Sequence, residues 1–189
     1  LDKLKSADNK ISVVVMPFQN MTSDTSWNIW QAGIQNEMIA SLTSLEELKV
    51  RQIETVNSLL RSRGHTDYAL IAPSVGSIIS QNLDANVLVS GSINQSGSTV
   101  RLNAQLSNSN TEEVFKSFQI NSSSEEILLA IDSLSAMVRN FLVISKLVKD
   151  LPEYLRYHPG TTSPEAYKYY LLGEDARSKR DFLTAIKLF

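Results

Sequence analysis

Hydrophobic and polar positions fall into blocks of different period along the chain. Residues 11–18, Ile-Ser-Val-Val-Val-Met-Pro-Phe, form a β-branched run closed by Pro17. The run is too short for a helix and predicts a buried strand. A polar loop, Gln19 to Ser26, follows. From Trp27 the apolar positions recur at threes and fours, at Trp27, Trp30, Ile34, Met38, Leu42 and Leu45. That spacing predicts an amphipathic helix with Ser26 or Thr25 as its N-cap. Leu48 to Ile53 predicts a second strand, and Val56 to Arg63 a second helix ended by Gly64. Pro73 and Ser74 open a third helix running through Leu83.

The period then changes to two. Val87 to Ile93 predicts a strand ending in the turn Asn94-Gln-Ser-Gly97. Thr99 to Ser107 alternates strictly, with Val100, Leu102, Ala104 and Leu106 on one face and Arg101, Asn103, Gln105 and Ser107 on the other. After a second turn at Asn108 to Thr111, Val114 to Ile120 completes a three-strand antiparallel meander. Ser123 and Glu126 then have the spacing of a capping box. They precede a helix whose stripe is Ile127, Ile131, Leu134, Val138, Phe141 and Leu142. Asp132, Arg139 and Lys146 interrupt this apolar stretch, which reads as a core helix and not as a membrane span.

Near Lys149 an irregular segment with Pro152, Tyr154, Tyr157, His158, Pro159 and Gly160 reads as a boundary. Ser163-Pro164-Glu165 is then a helix start, with an N-cap, a proline at the first position and an acid facing the dipole. Two helices are expected, Tyr167 to Arg177 and Asp181 to Phe189, with a polar break at Ser178 to Arg180. The fold class is therefore α/β: a mixed sheet of about five strands with a C-terminal antiparallel meander, helices packed on it, and a helical hairpin. The expected layout is a tail at 1–10, the α/β domain at 11–148, a linker at 149–162 and the hairpin at 163–189.

Composition narrows the function. The 189 residues are 42% hydrophobic and 20% charged, enough apolar content for a real core. Lys and Arg number 18 against 20 Asp and Glu, so the net charge of −2 supplies no field for a phosphate backbone. The absence of cysteine excludes disulfides, thiolate metal sites and a cysteine nucleophile. His65 and His158 stand alone in polar loops. The chain has no Gly-x-Ser-x-Gly elbow, Walker loop, dinucleotide glycine fingerprint or His-Glu-x-x-His motif. The pairs Glu46-Glu47, Glu112-Glu113 and Glu125-Glu126 fall at turns or helix starts, where carboxylates solvate a loop or face a helix dipole. No catalytic residue, metal site or cofactor is expected.

The strand Val13-Val-Val-Met-Pro-Phe18, the loop with Asn20, the helix with Gly33 and Glu37, then Val87-Leu-Val-Ser-Gly-Ser-Ile93 and Val100-Arg-Leu-Asn-Ala-Gln-Leu106 resemble, in that order, the TolB N-terminal-like domain over residues 11–145. The first loop is richer in Ser and Thr than the family's usual glycine-bearing form. The resemblance implies a domain set between a membrane-anchored effector, such as a kinase, an adenylate cyclase or a winged-helix regulator, and tetratricopeptide repeats. It implies an extracytoplasmic position in a bacterium, with a cytoplasmic one as the alternative, and membrane attachment only through an upstream anchor. The C-terminal stretch resembles the start of a tetratricopeptide repeat. Gly173 stands as its small residue, with Ala185 and Phe189 twelve and sixteen residues on. A full repeat of about 34 residues would run past Phe189.

Three surfaces are candidates for contact. The loop Asn20, Thr22, Ser23, Asp24 follows a buried strand and opens a helix, where free N–H groups could hold an anion or a partner's polar chain; ordinary capping is the other reading. The polar strand face Arg101, Asn103, Gln105 could meet a protein partner or a second copy, or simply water. Tyr167, Tyr170, Glu174 and Arg177 have the spacing that lines a repeat groove, where a peptide would bind. The leading expectation is a noncatalytic protein-interaction or sensory module that binds no nucleic acid. A small-ligand or anion sensor, or a noncatalytic part of a larger signalling enzyme, are the alternatives.

Overall fold

The computed structural model describes residues 10–65, 71–149 and 161–189. The expected tail up to residue 9, His158 and most of the expected linker lie outside the described residues. The chain divides into two compact units, Leu1–Val138 and Arg139–Phe189.

In the first unit the strands are β1 (Ile11–Val15), β2 (Gln19–Asn20), β3 (Leu48–Val50), β4 (Val87–Ser96), β5 (Thr99–Asn108) and β6 (Val114–Ser123). The helices are α1 (Asn28–Thr43), α2 (Ile53–Ser62), α3 (Pro73–Asn82) and the start of α4 (Ile127–Lys149). The sheet is mixed and six-stranded, in the order β3-β1-β4-β5-β6 with β2 also on β4. β1 pairs in parallel with β3 and β4, while β4, β5 and β6 form the antiparallel meander.

The expected mixed sheet with its C-terminal meander is present, and proline is the reason it holds a short sixth strand. Pro17 has no N–H to give the ladder, so the strand that begins at Ile11 leaves β4 after Val15 and returns as β2, pairing Gln19 with Ser92. The break is bridged by Met16 N–H donating to the Val89 carbonyl at 2.9 Å and Phe18 N–H to the Gln31 carbonyl of α1 at 3.1 Å. Two buried glutamines of α1 serve this break. Gln35 Nε2 donates to the Val15 carbonyl at 2.9 Å and lies 3.3 Å from Asn57 Oδ1 of α2.

Strand register sorts side chains onto two faces. Val13, Val15, Val87, Val89, Ile93, Val100, Leu102, Ala104 and Leu106 share one face and are all buried. Trp27 ties the start of α1 to it, its Nε1 donating to Gln95 Oε1 at 2.9 Å. Phe18 is fully buried on the same face. A methyl group at Gly91 would collide with the Phe18 ring and the Asn103 carbonyl, so only glycine fits there. The opposite face carries Val14, Met16 and Leu88, which pack with Val56 and Leu60 of α2 and Ile79 of α3. Each such side chain contributes about 1.5–3 kcal/mol on burial.

Local expectations are adjusted in four places. Thr25–Trp27 form a 3-10 turn, so the cap is Asp24, whose carboxylate accepts from Ser26 N–H at 2.8 Å, and neither Ser26 nor Thr25 serves. β4 continues through Asn94, Gln95 and Ser96, which pair with Arg101, Val100 and Thr99; the turn shrinks to Gly97 and Ser98, with φ +58° at Gly97. The Ser123–Glu126 capping box does not form, because Ser123 is still in β6 and Glu126 N–H bonds its main-chain carbonyl at 3.3 Å. Strand β3 is three residues long, and Ile53 already belongs to α2.

Helix α4 keeps the expected stripe, with Ile127, Ile131, Leu134, Val138 and Leu142 buried and Phe141 half-buried. Among the described residues, Ile127–Lys146 is long and apolar enough to cross a membrane, with mean hydropathy 1.8, and half of that window is buried.

The second unit contains α5 (Pro164–Ser178) and α6 (Phe182–Leu188). Ser163 caps α5, accepting from Ala166 N–H at 3.2 Å, and Asp181 caps α6, accepting from Thr184 N–H at 3.1 Å. Gly173 and Ala185 are buried. The Phe189 ring lies where a side chain at Gly173 would be, so glycine permits the close approach.

Candidate functional site

The two faces of the sheet are finished differently. α2 and α3 cover the second face over β1 and the first part of β4. Further along β4 and across β5, the same face carries Ser90, Ser92 and Asn94 opposite Gln105, Asn103 and Arg101. Strand parity dictates this arrangement, since the alternating apolar set of β4 and β5 is committed to the buried face. Asn103, Ser92, Ser90 and Asn94 are half-buried, while Arg101 and Gln105 are exposed. Ser92 Oγ accepts from Asn94 Nδ2 at 3.0 Å and from Asn103 Nδ2 at 3.3 Å. Arg101 Nε donates to Asn121 Oδ1 of β6 at 3.0 Å, leaving its terminal nitrogens at the surface. Ser107 keeps the expected place on this face, opposite Leu88, and is only 7% exposed.

A cavity of about 530 Å³ opens on this face. Its floor is Ser90, Gly91, Ser92, Asn103 and Gln105; its walls are Met16, Pro17 and Met21 after β1, Ile71 to Pro73 at the start of α3, and Glu112 and Val114 at the start of β6. It therefore lies beside the carboxyl end of β1, where the strand order switches from β3 on one side to β4 on the other. Open α/β sheets place ligands at such a point. A shallower depression of about 400 Å³ continues from Asn94 and Asn103 to Arg101, Thr99 and Gln119. The two share Asn94 and Asn103 and form one trough across β4, β5 and β6.

The other two candidates are organised differently. In the loop, Asn20 Nδ2 donates to the Asp24 carbonyl at 2.9 Å and to Asn28 Oδ1 at 2.8 Å, while its Oδ1 accepts from Thr22 N–H at 2.9 Å and Thr22 Oγ1 at 2.7 Å. Asp24 N–H bonds Thr22 Oγ1 at 3.1 Å. The side-chain donors of Asn20 and Thr22 and the main-chain N–H groups of Thr22 and Asp24 are thus engaged within the segment from Asn20 to Asn28. The Ser26 backbone N–H, helped by its side chain, holds the Asp24 carboxyl below its ordinary range. Ser23 is exposed. In the hairpin, Tyr167 is 2% exposed, so it does not face an open groove; it stacks on Tyr170 with ring centroids 6.1 Å apart. Burial, and then the neighbouring Tyr170, push its hydroxyl pKa up. Arg177 pairs with Glu174 at 2.6 Å within α5, a solvent-exposed contact of small energetic weight. Tyr170 is 42% exposed, but its ring lies between Tyr167 and Phe189, whose centroid is 6.0 Å away.

The sequence pattern offered Arg101, Asn103 and Gln105 as a partner face but not Ser90, Ser92 and Asn94, which lie beside them on the same face. Their signal was available in the antiparallel register of the hairpin, once Val89 is set opposite Leu106. Among the described residues no group of three or more His, Cys, Asp or Glu is placed to hold a metal.

Fold and trough together define an α/β module with one open polar sheet face. No protein-family model matches the chain. The C-terminal domain of LpoB from Salmonella enterica aligns with TM-score 0.50 and 15% identity, over 61% of this chain and 84% of that one. The C-terminal domain of LpoB from Escherichia coli gives 0.50 and 16%, over 60% and 83%. At these identities the likeness shows a shared fold. TolB of Acinetobacter baumannii aligns at TM-score 0.46 and 14% identity, over 77% of this chain and 30% of that one, below the level at which a fold is read. In sequence, the chain is 25% identical over 158 residues to a candidate adenylate cyclase 3 of Rhizobium meliloti (strain 1021), covering 84% of this chain. The chain spans about a quarter of the length of that relative.

Proposed function

We propose that the chain is a noncatalytic protein-interaction module whose partner binds the open polar face of the sheet. The observation that carries this reading is the trough itself. A 530 Å³ cavity with a floor of serine and amide side chains adjoins an arginine, on a face that α2 and α3 leave uncovered. A solvated strand face needs no such concavity. The shared fold with LpoB domains and the ordered motifs that resemble the TolB N-terminal-like domain support a bacterial extracytoplasmic setting. The likeness to the cyclase relative supports a place inside a larger signalling chain. A photo-crosslinking amino acid at Gln105 of the full-length protein in its native cell tests the reading. A defined protein adduct is expected, and its absence contradicts the proposal.

A second reading concerns the hairpin. Leu172, Phe182, Leu183 and Ile186 are 54–77% exposed on α5 and α6. An apolar surface of that kind, with the Gly173–Phe189 contact, supports the start of a tetratricopeptide array whose next helices would cover it. The module would then connect an upstream effector to a repeat scaffold.

A further inference from the structure

We infer that the trough takes an extended peptide segment of the partner, carrying a small apolar residue with an acidic residue two to four positions away. The inference rests on the interaction reading above and specifies its chemistry. Among the described lining residues the cavity has no lysine, arginine, histidine or aromatic ring, and its single charge is Glu112. A phosphate group would find no cation there, and a nucleobase or sugar ring no stacking partner. What the cavity does present is neutral hydrogen-bonding groups beside an apolar wall. The main chains of Ser90 and Gln105 are committed to the β4–β5 ladder, their side chains are bonded to no other described residue, and Met16, Met21 and Ile71 line the cavity beside them. Amides and hydroxyls match main-chain N–H and C=O groups, and methionines adapt to a small apolar side chain.

Charge fixes the direction outward. Among the described lining residues Arg101 is the one cation of the trough, at its far end, with its Nε bonded to Asn121 and its terminal nitrogens at the surface. It stands two residues from Asn103 and four from Gln105 along β5, about 7 and 13 Å at roughly 3.3 Å per residue. An extended peptide advances at the same rate, so an acid paired with Arg101 falls two to four residues from the anchor in the cavity. The mouth near Glu112 disfavours a second acid at the opposite end.

The probe is a displayed library of random nine-residue peptides selected on the full chain, followed by anisotropy titration of the enriched peptides. Enrichment of a small apolar residue with Asp or Glu at the stated spacing is expected, with binding weakened about tenfold or more by Arg101→Glu. Ser90→Val, which fills the floor with little change of strand propensity, is expected to weaken the same peptides while leaving thermal unfolding near that of the parent. Enrichment of basic or aromatic motifs, or Arg101→Glu binding unchanged, overturns the inference. A protein adduct at Gln105 without any enriched peptide also overturns it, since the partner then presents a folded surface, and leaves the interaction reading standing. Failure of both removes the reading as well.

Discussion

Gly91 shows how a single residue sets the geometry of this sheet. The broken strand before it must find room for Phe18, and the ring lies across the α-carbon of Gly91 with the Asn103 carbonyl close behind. Gly91→Ala is expected to destabilise by about 1–3 kcal/mol, the usual cost of overfilling a packed core, read from urea unfolding. Truncating Phe18 in the same chain should make the second change cost less, because the ring is no longer there to clash. Gln35 is the polar counterpart. Gln35→Leu removes the donor to the Val15 carbonyl and to Asn57, with an expected loss of about 1–3 kcal/mol. Asp24 adds a pH dependence of known sign. Its folded pKa lies below the ordinary 3.8, so its capping contribution is present above that value and is lost as pH falls through the lowered one. The Ser26 amide resonance should follow that titration, and Asp24→Asn should abolish it. Of these three, the sequence displayed Gly91 within its strand motif and Asp24 within a loop for which capping was one reading, but not Gln35. Gln35 is invisible to periodicity, because it occupies a core position of α1 for the sake of the Val15 carbonyl at the break before Pro17.

Among elements, the meander was the most legible. β5 alternates without a fault, so its two faces follow from the period alone, and the register with β4 follows from the glycine turn. The misplaced boundaries have one cause in common: hydrogen bonds between distant segments outrank local propensity. Asn94 to Ser96 look like a turn but pair with β5, and Ser123 looks like a cap but pairs with Thr99. The same element view bears on self-association. β6 is an edge strand, which in principle could pair with a second copy. It carries Lys116 and is bulged at Phe115, where the register moves between Leu106 opposite Lys116 and Ser107 opposite Val114. Both devices blunt an edge. Homodimerisation by this route is therefore proposed to be blocked. Lys116→Val should shift the sedimentation profile toward a dimer or higher species, whereas the parent chain sediments without edge pairing; an unchanged profile for the variant would show that Lys116 guards nothing.

For the molecule as a whole, near-neutral charge and a half-covered sheet point to contact with protein. A chain of net charge −2 is expected to leave the anisotropy of a labelled DNA duplex unchanged at physiological salt. Sequence could show that one strand face was polar, but not that α3 stops short of it, and the trough exists only because it does. The most direct test compares three positions for the photo-crosslinking residue in the full-length protein: Gln105 in the trough, Ser58 on the exposed side of α2 and Leu183 on the hairpin. The account predicts a protein adduct of one defined mass at Gln105, absent at Ser58 and lost from Gln105 when Arg101→Glu is added. Equal labelling at Gln105 and Ser58, or an adduct at Leu183 alone, would contradict it.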